Sequence, residues 1–423
     1  MGLNQQLHLK GNNYSNASTS FYVAVLIFAL PNVWLLNKLP VSKYLSLCLI
    51  GWGATTACHA AIKNYSGLLT VRILSGVCES GVPPALMLLS SQYYSRKEQA
   101  PRFAYWYMGM GWGQISGGLI SYGFQFVSPK AALAGWRIMF LTLGLFTAFF
   151  GVMIFLFVPD TPMKAKFLNE EEKAMLIEHI KVDQIGIENK RFKPSQVLEA
   201  LLDVQTWCVF LIIALQTSGA GVVTAYSATL LKGYGYSSKA SALLNMPSGV
   251  INIVATLSFA FFVRRFGNRW AVNVVGGLIA WTGACLLAFL PNTMKGGLLT
   301  GLYLINTLPG ASLITFHWLT SNTAGHTKRS FATAWMNAAF AVGNIIGPQT
   351  FQAKDAPGYK PAKLTLVVFW MVAVLVSVVL VLYYRFANKR RDRVVPEATE
   401  DVDVQQAFTN KTDKQNLSFR YQY

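Results

Sequence analysis

The sequence predicts an all-α polytopic membrane protein, and three observations carry that reading. The 423 residues are 53% hydrophobic and only 13% charged, about half the ~25% charge of a soluble domain. Apolar runs near the ~20 residues that a helix needs to cross a bilayer recur along the whole chain. The positive charge falls in alternate loops between those runs.

The first run, at about 19–36, is the shortest. Phe21 to Leu36 gives roughly 24 Å at 1.5 Å per residue against a ~30 Å hydrocarbon core, and Pro31 and Asn32 interrupt it further. The second, about 44–62, follows a basic loop and opens KYLSLCLIGWG. The third, about 67–93, carries two charges, Arg72 and Glu79. The fourth, about 103–127, is punctuated by GMGWGQISGG, small residues that let membrane helices pack closely. The fifth, about 137–158, is apolar throughout.

Six more follow a long polar stretch. They are 205–231 (containing GAGVVTAYS), 239–263 (ending at the basic RRFGNRW), 270–290, 297–320 (with His317), 331–353 (with GNIIGP) and 364–384. None of the eleven resembles a cleavable signal peptide. The expected organisation is an N-terminal helix bundle of five spans over 1–158, a cytoplasmic linker with amphipathic helices over 159–204, a C-terminal six-helix bundle over 205–387 and a cytoplasmic tail over 388–423. In the linker, Asn169 can cap a helix whose first turn holds Glu170, Glu171 and Glu172.

The net charge of +18 is that of many nucleic-acid-binding chains, but its placement gives another meaning. With Arg72 set aside as intramembrane, 25 of the other 35 Lys and Arg fall in one alternate set of loops plus the C-terminal tail. That set is cytoplasmic by the positive-inside rule, so Tyr423 is inside, and an odd number of spans leaves the N-terminus outside. Sequons at Asn13, Asn16 and Asn64 fall on the outer side. The five cysteines have no metal-ligand spacing and read as free thiols.

The two halves echo each other. KYLSLCLIGWGATTAC from Lys43 aligns with RWAVNVVGGLIAWTGA from Arg269, and GQISGG from Gly113 with GNIIGP from Gly343. Weak similarity between halves is the mark of parallel-repeat transporters, whose substrate site lies at the midplane between repeats.

Several motifs in series resemble one family. GWRIMFLTLG (135–144) with VPDTPMKAKFLNEEEK (158–173) is similar to the end of the first half of fungal allantoate-permease-type transporters, the anion:cation symporter branch of the major facilitator superfamily. LLNMPSG, FGNRW, AGHTKR, GNIIGPQTF and DAPGY resemble its second half, and TDKQNLSFRY its C-terminal ending. The resemblance implies a major facilitator fold of two helix bundles with twelve helices. By that pattern the first helix is expected to be missing from this sequence, in agreement with the odd span count, and the alternative reading is a truncated or non-transporting member (a sensor or inactive fragment). It also implies proton-coupled uptake of a small organic anion such as allantoate, ureidosuccinate or a vitamin-like carboxylate. The expected setting is a monomer in the plasma membrane, with no cofactor, metal or nucleic-acid partner.

RILSGVCESG (72–81) matches the family's fourth helix, with Arg72, Gly76 and Glu79 in its pattern. Seven residues turn a helix through about 700°, so Arg72 and Glu79 share one face about two turns apart. Buried charges in a span mark function by default. Glu79 is the expected proton-coupling group and Arg72 a substrate-binding or counter-ion group, and a static ion pair is the alternative. Further substrate-binding candidates are Gln216, Tyr226, Asn337 and Asn344, with interhelical hydrogen bonding as the competing role. His317 reads as a packed histidine and His59 as interfacial. Lys43, Arg102, Arg269 and Arg329, in the short basic loops, are expected to orient the chain and act as gating residues. A membrane enzyme is disfavoured, because five scattered histidines and no paired acids build no catalytic cluster.

Overall fold

In the computed structural model the described residues are 3–94, 96–128, 131–183, 193–355, 358–394 and 412–423. In chain order the helices are α1 (Leu3–Gln6), α2 (Asn13–Lys38), α3 (Val41–Cys58), α4 (Tyr65–Glu79), α5 (Val82–Tyr93), α6 (Arg96–Gly123), α7 (Gly135–Phe157), α8 (Glu170–Asp183), α9 (Pro194–Leu201), α10 (Val204–Gly233), α11 (Ser238–Leu244), α12 (Met246–Phe266), α13 (Arg269–Phe289), α14 (Lys295–Ile305), α15 (Leu308–Asn322), α16 (His326–Thr350) and α17 (Lys360–Asp392). Each of the eleven predicted spans coincides with a helical rod. The rods α4–α5, α11–α12 and α14–α15 are each broken once, with Pro83, Pro247 and Pro309 just inside the second piece, where a missing N–H costs nothing.

Among the described residues, six rods are long and apolar enough to cross a membrane on length and composition alone, Tyr65–Ser90, Gly135–Phe157, Ser238–Phe266, Arg269–Phe289, Lys295–Asn322 and Lys360–Asp392, and a seventh joins them if the bent pair Pro194–Leu201 and Val204–Gly219 is one span. Helices α2, α6 and α16 are more polar because their polar side chains meet other helices. Asn12 Nδ2 donates to Gln352 Oε1 at 2.6 Å, Gln349 Nε2 donates to Thr19 Oγ1 at 2.8 Å and Asn16 Oδ1 at 3.2 Å, and Gln114 Nε2 donates to Asn306 Oδ1 at 3.2 Å.

These contacts correct the reading of the first span as short and interrupted. Helix α2 runs 26 residues, straight through Pro31, about 39 Å at 1.5 Å per residue. Its polar first turns are held by the end of α16, and Asn32 is satisfied by Tyr44 and Ser80. The sequons at Asn13 and Asn16 therefore lie within a helix, and Asn16 is engaged by Gln349.

Helix α3 packs on α7 and α13 on α17, the matching pairs expected if the segments from Lys43 and Arg269 are repeats. The glycine echo does not extend to packing. A Cβ at Gly343 or Gly347 would collide with α10, whereas Gly113 and Gly117 face open space. The pairs α2–α16 and α6–α12 join helices from before and after the linker.

At the basic end, α8 begins with the expected cap. Glu172 N donates to Asn169 Oδ1 at 2.8 Å, and Asn169 N donates to Glu172 Oε2 at 2.9 Å. Residues 412–423 dock on the ends of α9, α10, α13, α15, α16 and α17. Asn322 and Trp318 donate to Gln422 O, Asn388 and Tyr421 exchange side-chain and backbone bonds, and Arg391 donates to Asp413 O and Phe419 O.

Candidate functional site: a cavity holding Arg72 and Glu79

The local sequence of α4 explains its position. Asn64 caps it, accepting from Gly67 N at 2.9 Å. One face meets α3, where Ser75 Oγ donates to Thr55 Oγ1 at 3.0 Å and Cys78 lies against Gly51. Another meets α2 so closely that a Cβ at Gly76 would collide with the Phe21 carbonyl oxygen. Gly76 thus draws α2 onto α4 between the two charged positions.

The result is a cavity of about 320 Å³ whose walls come from α2 (Tyr14, Ser18, Phe21, Tyr22), α3 (Trp52, Thr56) and α4 (Arg72, Ser75, Glu79), with His59, Phe140 and Pro348 at its remaining sides. Arg72 and Glu79 both line it, as their spacing predicts. Among the described residues neither forms an ion pair, and Arg72 Nε has no hydrogen-bond partner. A guanidinium and a carboxylate in one cavity, each without the other, can receive an anion and a proton separately.

The Major Facilitator Superfamily profile matches residues 1–348. The chain is 33% identical over 441 residues to the allantoate permease of Saccharomyces cerevisiae, covering all of this chain and 80% of that protein. It belongs to the allantoate-permease group of the major facilitator superfamily. Other relatives of this family member are the thiamine pathway transporter of S. cerevisiae, 38% identical with 98% of this chain and 79% of the relative covered, and an uncharacterized transporter of Schizosaccharomyces pombe, 35% identical with 100% and 82% covered. Among solved structures, a D-xylose-proton symporter matches with a TM-score of 0.68 at 17% identity, over 89% of this chain and 91% of that one. That likeness shows the fold alone. The chain is a multi-pass membrane transporter.

The other polar candidates of this permease-family chain lie elsewhere. Gln216 is buried in a closed network joining α10, α13 and α15: it donates to Asn273 Oδ1 at 2.9 Å and accepts from Ser312 Oγ at 3.1 Å, while Asn273 donates to Thr315 Oγ1 at 2.7 Å. Asn344 is buried and donates to Phe340 O on its own helix at 2.9 Å. Its GNIIG motif is where α16 presses against α10. Asn337 is exposed on α16, and the Tyr226 side chain lies outside the described residues.

The four residues expected to gate lie at the basic end. Lys43 donates to Phe155 O and sits over the Phe155 ring, Arg102 sits over Tyr94, and Arg269 Nε donates to His317 Nδ1 at 3.0 Å. Arg329 is exposed in the first turn of α16. His317 is thus a packed, hydrogen-bonded histidine, as expected. His59, expected near a membrane end, follows the end of α3 and is 3% exposed, stacked on Phe140 and on the cavity wall. The signal for it was the spacing Trp52, Thr56, His59, one face at i, i+4, i+7.

Proposed function

We propose that the protein is a proton-coupled symporter that takes up a small organic anion, a carboxylate of the allantoate, ureidosuccinate or vitamin-like kind. The observation that carries this reading is the pair Arg72 and Glu79, both lining one cavity and, among the described residues, without an ion pair. Arg72 supplies a permanent positive charge with a fork of donors for a carboxylate. Glu79 supplies the titrating site, since a carboxyl in a poorly solvated cavity changes its proton occupancy with modest changes of surroundings.

Alternating access follows from the interface between the halves 1–158 and 205–387. The basic ends of the rods are cytoplasmic in this reading. Bonds of Gln349 to Asn16 and Thr19, and of Asn12 to Gln352, then close the outer end just beyond the cavity. Rocking of the halves breaks them and admits substrate from outside. The four basic-loop residues Lys43, Arg102, Arg269 and Arg329 latch the opposite end in the outward-facing state. Gln216, Asn337 and Asn344 are secondary candidates for substrate contact once the halves move.

The test is uptake of a labelled carboxylate by cells expressing the protein. The reading expects faster accumulation at acid external pH and its loss with a protonophore. Accumulation indifferent to protonophores would replace it with facilitated diffusion.

A further inference from the structure

The cavity contains one more group with an unspent bond, and its chemistry says something about the ligand. His59 follows α3 and is 3% exposed. Its ring lies face to face with Phe140, centroids 4.7 Å apart at 13°. Its Nδ1 is 3.1 Å from the backbone oxygen of Thr55. A carbonyl oxygen only accepts, so Nδ1 carries the proton of that bond. In the neutral ring Nε2 is then a bare lone pair, fixed in direction by the stack on one side and the Thr55 bond on the other. Nε2 is buried and has no hydrogen-bond partner, and His59 lines the same cavity as Arg72.

We propose that His59 is a specificity-determining residue of this site, whose Nε2 accepts a hydrogen bond from an N–H or O–H of the substrate while Arg72 holds its carboxylate. The inference rests on the carboxylate-symport reading above and adds a constraint to it. The ligand needs two different ends, an anionic one for a group that only donates and a donor for a group that only accepts. A carboxylate whose far end is apolar or purely accepting leaves Nε2 buried and unpaired. A site built to bond a substrate N–H or O–H rejects analogues lacking it far more sharply than an apolar pocket rejects a missing methylene. The cavity's hydroxyls, on Tyr14, Ser18, Tyr22, Thr56 and Ser75, rotate to donate or accept, so they do not impose this selection.

Succinamate and 4-oxopentanoate test it directly. They have the same number of heavy atoms and differ only by NH2 in place of CH3 beside the carbonyl. Their binding to the purified full chain is measured by competition against a labelled carboxylate. The expected result is at least tenfold tighter binding of succinamate. In His59→Phe, which keeps a ring on Phe140 and removes the acceptor, the ratio falls to near one because succinamate weakens while 4-oxopentanoate is unchanged. Retained 4-oxopentanoate binding also shows that the variant is folded. Equal binding of the two probes by the unmodified chain overturns the proposal without any variant, and so does a ratio that His59→Phe leaves intact. Arg72→Gln separates this from the parent reading. Failure of both probes to bind, or binding that survives Arg72→Gln, overturns the carboxylate site itself.

Discussion

Lys328 Nζ lies 2.7 Å from Asp413 Oδ1, with both side chains fully buried, although 85 residues separate them. The same ammonium reaches Asp203 at 2.7 Å and Glu199 at 3.0 Å. One cation from the start of α16 therefore ties the tail to α9 and to the start of α10. Removing one partner from a buried ion cluster costs about 3–5 kcal/mol, because the remaining charges stay buried without compensation. Lys328→Met should lower the thermal midpoint of the purified protein by several degrees and reduce surface expression. Deleting 412–423 should do the same. A melting curve unchanged by either would show that the cluster contributes nothing.

Tyr421 gives the same end of the molecule a pH signature. Burial, together with the Asp413 carboxylate to which it donates at 2.8 Å, holds its phenol well above the usual value of 10. The folded state keeps this proton when the unfolded chain loses it. The stabilisation is complete below pH 10 and is lost as pH rises beyond it. Tyr421→Phe removes a hydrogen bond to a charged group, about 1.5–3 kcal/mol. Wild type should be the more stable at pH 8, and the gap between the two melting temperatures should narrow above pH 10. A constant gap from pH 8 to 11 would contradict this account.

Gly76 is a packing requirement. Gly76→Ala pushes a methyl into the Phe21 carbonyl, which should cost about 1–3 kcal/mol and separate α2 from α4. Gly109 on α6 has nothing within 4 Å of its missing Cβ, so Gly109→Ala should be neutral or stabilising by up to about 1 kcal/mol. Comparing expression and carboxylate uptake of the two variants checks the claim, and equal losses would refute it.

These cases show what was legible in the sequence. The rods were, because apolar runs of the right length have one stable solution in lipid. So was the shared face of Arg72 and Glu79, which depends only on helix geometry. The breaks after Glu79, at Asn245 and at Asn306 were not, nor was the continuation of α2 through Pro31, because they depend on which neighbours satisfy the freed groups. The Lys328 cluster was not, because Asp203 and Asp413 reach it from distant parts of the chain. Gln216 and Asn344 read as ligand groups because their bonding partners, Asn273, Ser312 and the Phe340 carbonyl, are identified only by packing.

Gln349 should behave as a latch. Gln349→Ala removes its bonds to Thr19 and Asn16, each worth about 0.5–1.5 kcal/mol. The outward-open population should rise roughly fivefold per kcal/mol lost. A Ser18→Cys probe on the cavity wall, in a background lacking the five native cysteines, should react faster with an impermeant thiol reagent applied from outside. An unchanged rate would remove Gln349 from gating.

In the proposed mechanism Glu79 is the proton-coupling group and not half of a static pair, and Glu79→Gln separates the two. Glutamine keeps the shape and hydrogen-bonding capacity of the side chain and removes the titrating proton. With labelled carboxylate in reconstituted vesicles, the variant should lose accumulation driven by an inward proton gradient, and acid stimulation with it, yet retain counterflow exchange between preloaded vesicles. Contradiction would come from a variant that still accumulates substrate with normal acid stimulation, or from one that is unstable alone and regains expression and acid-stimulated accumulation together in Glu79→Gln/Arg72→Gln.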